Sequence, residues 1–155
     1  MINEIIKNAL KEDIGDGDHS SLSCVPENAV GSAELIIKDH GILAGVELAE
    51  RIFKQYDNSL QINVFIKDGE KVKPGDLVFE VRGSSRSILS TERVVLNFMQ
   101  RMSGIATQTN EIVKLIEGTR AKLLDTRKTT PGIRSIEKWA VRIGGGYNHR
   151  FGLYD

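Results

Sequence analysis

Two short runs near the C-terminal end carry the residue types best suited to holding an anion: Thr126-Arg127-Lys128-Thr129-Thr130 and Asn148-His149-Arg150. An arginine guanidinium presents a planar fork of N–H donors that matches a carboxylate or phosphate, and a lysine adds a mobile point charge. Adjacent cations set among threonine hydroxyls suit a multiply charged ligand, while His149 adds a donor and Arg150 a second fork. Gly144-Gly145-Gly146 precedes the second run. Glycines let backbone N–H groups approach an anion and take up positive φ. The spacing is neither that of a P-loop nor that of a dinucleotide fingerprint, and a triple glycine alone is more often a flexible connection. An Arg-Lys pair alone is usually a solvated loop. Position tips the balance. The first run follows directly on Lys122–Asp125 (KLLD), short and apolar enough for a buried parallel strand, and side chains at the C-terminal ends of such strands face the ligand crevice.

The remaining chemistry-bearing residues are weaker candidates. Arg93, Asn97 and Arg101 fall one helical turn apart, which ordinarily describes a wet helix face. His19 and His40 lie in polar turns and receive no role. Asp16, Asp18 and Ser20, with Glu27 in the twelfth place, brush against the calcium-loop pattern, but the sixth position is Ser21 instead of glycine. Asp68–Asp76 (DGEKVKPGD) followed by LVFEV has the hairpin style of biotinyl and lipoyl carrier domains, without an acceptor lysine in the required setting.

The 155 residues hold 21 basic and 21 acidic side chains, giving zero formal charge. No global field therefore draws the chain to nucleic acid or to a membrane surface. Charge is nevertheless skewed: acids crowd the front, and Arg120, Lys122, Arg127, Lys128, Arg134, Lys138, Arg142 and Arg150 crowd the end, as expected for a local anionic ligand. No apolar run reaches the ~20 residues that cross a bilayer, and MINEIIKNALKED does not have a signal-peptide pattern. The single cysteine, Cys24, fits a reducing cytoplasm.

These residues must be positioned by a mixed framework. Apolar spacing predicts helices over Ile2–Glu12, with Asn3 as cap, and over Gly45–Tyr56. Alternation predicts strands over Ser32–Lys38, Leu60–Ile66 and Leu77–Val81. A helix is expected to start at Ser90 or Thr91, bury Val95, Phe98, Met99 and Met102, break at Ser103-Gly104, and resume over Ile105–Ile116. Lys122–Asp125 is expected as a strand and Ser135–Ile143 as a helix. Helix, strand, loop, helix is the opening rhythm of an α/β barrel or open α/β sheet.

Four blocks, Ala9–Gly17 (ALKEDIGDG), Glu92–Thr107 (ERVVLNFMQRMSGIAT), Asp125–Gly132 (DTRKTTPG) and Glu137–Asp155 (EKWAVRIGGGYNHRFGLYD), resemble the quinolinate phosphoribosyltransferases, the decarboxylating nicotinate-nucleotide pyrophosphorylases. The resemblance implies a type II phosphoribosyltransferase architecture. An α+β sandwich-like domain with its connecting helix would occupy residues 1–103, and the start of an irregular α/β barrel residues 104–155. A full barrel takes ~200 residues or more, and the family carries further substrate and metal groups beyond the equivalent of Asp155, so the barrel and the site are expected to be incomplete here. The implied reaction joins quinolinate to phosphoribosyl pyrophosphate, releasing diphosphate and CO₂ and giving nicotinate mononucleotide. Carried over, Arg127, Lys128, His149 and Arg150 resemble the quinolinate contacts, Lys128 also reaches the donor as the catalytic residue, and Thr126 supplies a hydroxyl. Arg93 matches an arginine that family dimers insert into the neighbouring subunit's site. The resemblance implies Mg²⁺ held mainly through the donor's diphosphate, with no metal ligand in this chain, and a homodimer or higher homo-oligomer. A related type II enzyme of other substrate, or a non-catalytic carrier or dimerising fragment, are the alternatives.

Overall fold

The computed structural model describes residues 1–155. Helix α1 (Ile2–Ile14) turns Ile6 and Leu10 inward, and its end is set by Gly15. It begins beside Met1, with no side-chain cap, so the expected Asn3 cap is not formed. A short helix, α2 (His19–Cys24), occupies a stretch that reads as a polar loop. The Asp18 carboxylate caps it by accepting from Ser21 N at 3.1 Å, which explains the acid–serine spacing that imitates a calcium loop.

Strands β1 (Val30–Ile36), β2 (Gly41–Ile42), β3 (Gln61–Val64), β4 (Lys71–Val72) and β5 (Leu77–Ser84) form two antiparallel groups. One is a three-stranded sheet in the order β1-β5-β3, with Ala33 and Ile62 on either side of Val81. The other pairs β2 with β4. Helix α3 (Val46–Tyr56) packs beside them, burying Val46, Leu48, Ala49, Ile52 and Phe53 as the 3.6-residue period requires. Its free N-terminal amides are satisfied from a distance: Val46 N and Glu47 N donate to the Asp68 carboxylate at 2.8 and 3.2 Å. Phe53 and Phe79 meet edge to face at 6.0 Å across the layer.

One helix ties this sandwich to the C-terminal segment. Helix α4 (Ser85–Leu115) runs unbroken through 31 residues, so the expected start at Ser90 or Thr91 and the expected break at Ser103-Gly104 are both corrected. The cap is Ser84, and Thr91 turns its hydroxyl back onto the carbonyls of Ser87 and Ile88 within the helix. Ser103 does not open the helix because its hydroxyl has a partner elsewhere, accepting from Ala44 N and donating to Ala44 O. One turn later Thr107 Oγ1 accepts from Ile42 N. The core is continuous along α4, from Val95, Met99 and Met102 under the sandwich to Ala106 beside Ile136 and Ala140 of helix α5 (Arg134–Ile143).

Lys122–Asp125 is not the buried strand expected. It makes one parallel bridge, Leu124 with Tyr147, and Leu124 is 51% exposed. A parallel barrel strand is buried by neighbours on both sides, and here a single neighbour is present. The barrel is begun and left open.

Candidate anion site

The two cationic runs lie at the two chain segments of that bridge. Tyr147 N donates to Leu123 O at 2.9 Å and Asp125 N to Tyr147 O at 3.0 Å, so Thr126 and Asn148 leave the same pair of segments side by side. The Asp125 side chain then fastens the second run to the first. Its Oδ1 accepts from His149 N at 2.7 Å and from Lys138 Nζ, and its Oδ2 accepts from Asn148 Nδ2. Lys138 Nζ also donates to His149 O at 3.2 Å, and Asn148 Nδ2 to Lys138 O at 2.8 Å.

Helix α5 supports the first run along its length. Arg134 donates to Thr129 Oγ1, to Arg127 O at 3.3 Å and to Phe151 O at 2.7 Å, so a single guanidinium holds the first run and the residue that follows the second. Glu137 is buried and accepts from Thr130 N and Thr130 Oγ1 at 3.1 and 2.8 Å, and from Arg101 Nε and Nη2 at 3.0 and 2.6 Å. Burial raises the Glu137 carboxyl, yet hydrogen bonds from Arg101 and Thr130 outweigh it and hold the group below the usual carboxylate range. Arg101, which reads as part of a wet helix face, is therefore a structural partner.

The glycines at 144–146 serve packing. A Cβ on Gly144 would sit 2.4 Å from Ala106 O and 2.7 Å from Thr109 Cβ, and one on Gly146 2.8 Å from Val141 Cγ1. Gly145 makes the turn with φ +94°. They bring the end of α5 against α4 and aim Asn148-His149-Arg150 back toward Asp125.

Within this frame the cations divide into two kinds. Arg101 and Lys138 are neutralised by Glu137 and Asp125. Arg127, Lys128, Arg150 and Arg93 have no carboxylate within ion-pair distance. Lys128, His149 and Arg150 expose their side chains, and Thr126 Oγ1 accepts from Lys128 N, shaping the turn that presents them. Arg127 is half-buried, and its Nε lies buried without a protein partner. A buried guanidinium N–H left unpaired is costly, and an incoming carboxylate would satisfy it. Arg93 stands exposed on α4, eight residues before Arg101, and no contact joins it to the other cations.

The chain matches the family model for the N-terminal domain of quinolinate phosphoribosyl transferase over residues 18–103 and that for its C-terminal domain over residues 105–155. It belongs to the quinolinate phosphoribosyltransferase family. A probable nicotinate-nucleotide pyrophosphorylase of Bacillus subtilis is 46% identical over the whole chain, which covers 53% of that protein. A chloroplastic nicotinate-nucleotide pyrophosphorylase of rice, Oryza sativa, is 50% identical over 97% of the chain and 40% of its own length. The crystal structure of NadC from Streptococcus pyogenes superposes with a TM-score of 0.94 at 44% identity, over 99% of this chain and 56% of that one. The chain thus spans about half the length of the curated relatives it matches, in keeping with a barrel that is begun and not closed.

The residues present do not form a site for the Mg²⁺ that phosphoribosyl transfer implies. No three His, Cys, Asp or Glu side chains come together, and Asp125, the carboxylate beside the cationic runs, is engaged through both oxygens. No helix is long and apolar enough to cross a membrane. Residue type alone does not single out Asp125, Lys138, Arg134 or the Arg101–Glu137 pair as the groups that fasten the two runs. The available signal is Glu137, a charge on the apolar stripe formed by Ile133, Ile136, Ala140 and Ile143, where a carboxylate needs a buried partner.

Proposed function

We propose that this chain supplies the dicarboxylate-holding part of a quinolinate phosphoribosyltransferase site. In this reading Arg127, Lys128, His149 and Arg150 grip the two carboxylates of quinolinate, Thr126 lends a hydroxyl, and Lys128 extends to phosphoribosyl pyrophosphate. The observation that carries it is that Arg127, Lys128 and Arg150, none within ion-pair distance of a carboxylate, stand on two runs joined by the Asp125 carboxylate, which precedes the first run and accepts from His149 N in the second. An aromatic acid bearing adjacent carboxylates would be matched by guanidinium and ammonium donors drawn from both runs. Transfer to the ribose would then gain from orientation of the pyridine nitrogen and from charge stabilisation, without a protein nucleophile. Nicotinate mononucleotide, diphosphate and CO₂ are the products, and Mg²⁺ would arrive with the diphosphate of the donor. Arg93 would complete the site of a second copy in a homodimer or larger homo-oligomer, and the single exposed Cys24 suits a cytoplasmic setting.

Calorimetric titration with quinolinate and with its unreactive analogue phthalate tests the reading. Arg127→Ala and Arg150→Ala should each lower affinity by roughly 2–5 kcal/mol, the usual loss when one partner of a desolvated charge pair is removed. Affinities equal to wild type would take these arginines out of the site.

A further inference from the structure

Lys138 is the largest fully buried side chain in the chain, with its side chain 1% exposed and that of its partner Asp125 5% exposed. Its three ammonium protons are all accounted for: Asp125 Oδ1, His149 O, and the ring face of Phe151, whose centroid is 4.8 Å away. A buried ion pair is a poor way to stabilise a fold, because desolvating both charges offsets their attraction, and apolar residues of similar volume usually serve as well or better. The surroundings of Lys138 on α5 would accept such a replacement, since Ile136 and Ala140 are fully buried on the same short helix.

What an apolar pair would not reproduce is direction. The three groups that Lys138 touches lie on opposite sides of the gap between the two cationic runs: Asp125 immediately before Thr126, and His149 and Phe151 on either side of Arg150. Its neighbour Glu137 grips Thr130, the far end of the first run. Consecutive residues of α5 therefore fasten the two ends of the Asp125–Thr130 segment, and only Lys138 also reaches the second run.

We propose that Lys138 is a positioning residue: through Asp125 it fixes the separation of the Arg127 and Arg150 runs, and it serves the geometry of the anion site and not the stability of the fold. The ligand arm of the test rests on the functional reading above; the spectroscopic arm does not. Lys138→Met, Asp125→Asn and the double variant would be compared by urea unfolding, by the ¹H–¹⁵N spectrum, and by phthalate titration. Each single change leaves an unpaired buried charge or dipole and should lower the urea midpoint. The double variant removes both buried charges but sets its new amide donor against Asn148 Nδ2 or His149 N and leaves His149 O without a donor, so its midpoint should lie above that of either single variant and below wild type. It should still bind phthalate about tenfold or more weakly, because small misplacements of orienting groups cost large factors. Its His149 amide, deprived of a charged acceptor at 2.7 Å, should shift and lose exchange protection while amides of the sandwich stay put.

A double variant that regains both midpoint and phthalate affinity would overturn the proposal, and so would one that does not fold, since the pair would then be a stability element. If the wild-type chain binds no phthalate, the functional reading fails on its own. Positioning is then judged by the His149 amide, whose unchanged shift and protection in the folded double variant would refute it.

Discussion

Glu137→Gln is the sharpest probe of how α5 holds the first cationic run. The Glu137 side chain is 8% exposed and its two oxygens accept four hydrogen bonds, three on Oε1 and one on Oε2. A glutamine can keep its carbonyl toward Arg101 and Thr130 Oγ1, but its amide then faces Thr130 N–H, donor against donor. An unsatisfied buried amide costs about 1–3 kcal/mol, and replacing a charged acceptor by a neutral one weakens the remaining bonds by roughly half. Arg101 is 54% exposed, so its Coulombic share is discounted for solvent screening. Together these give a loss of about 2–4 kcal/mol, equivalent to roughly 4–16 °C in Tm for a chain of this size. The pH dependence comes from the direction of the shift. Glu137 titrates below the ordinary glutamate value of 4.5 in the folded chain, so its contribution is complete above that value and is lost as pH falls through the folded pKa. Wild type and Glu137→Gln should therefore differ most at neutral pH and converge on acidification. Urea unfolding at pH 7 and at successively lower pH reads both effects. A gap that is absent at pH 7, or that persists undiminished when the carboxyl is protonated, would refute the reasoning.

Two further substitutions test the helical frame. Gly104 lies exposed in the interior of α4 with open space where a Cβ would stand, so Gly104→Ala should stabilise the chain by about 0.5–1 kcal/mol in urea unfolding; a true helix break there would give no gain. Gly144→Ala places a methyl against Ala106 O and Thr109 Cβ at an ordinary helical φ of −71°. The cost is steric alone, at about 1–3 kcal/mol, and it should be accompanied by amide shifts in Ala106–Asn110 and in Asn148–Arg150.

The sandwich is legible in the sequence because its signals are local. Val46, Leu48, Ala49, Ile52 and Phe53 recur at helical spacing and are all buried, and the alternating strands fall within a few residues of their observed ends. Helix α4 is harder to read, because a local rule meets a distant partner. Ser103-Gly104 looks like a stop, but the Ser103 hydroxyl belongs to Ala44, 59 residues away, and the surrounding apolar spacing carries the helix through. Lys122–Asp125 departs in the opposite sense: its apolar sequence suits a strand whose second neighbour is not among these residues. At the candidate site, Arg127, Lys128, His149 and Arg150 are proposed from residue type and family resemblance. The pairing that fastens the two runs is harder to pick out, because nothing in the sequence signals that Asp125 and Lys138 are buried against each other.

That asymmetry has a physical basis. A chain with balanced charge can create a strongly positive spot only by segregating its acids, and helix α5 does this by direction. Glu137 and Lys138 are adjacent in sequence and both are buried, yet each is matched by an opposite charge from another segment, Arg101 and Asp125. Those pairings engage Glu137 and Asp125, and the Asp155 carboxylate, which feels the charge of Arg150, is taken up by the Phe151 and Gly152 amides. An Asp125 carboxylate turned toward the cationic runs would compete with the carboxylate of the proposed ligand for them. Lys138, Asn148 and the His149 amide hold it the other way. The positive character of the candidate site thus depends as much on where its neighbouring acids are fastened, Asp125 by Lys138 and Asp155 by the Phe151 and Gly152 amides, as on the cations themselves.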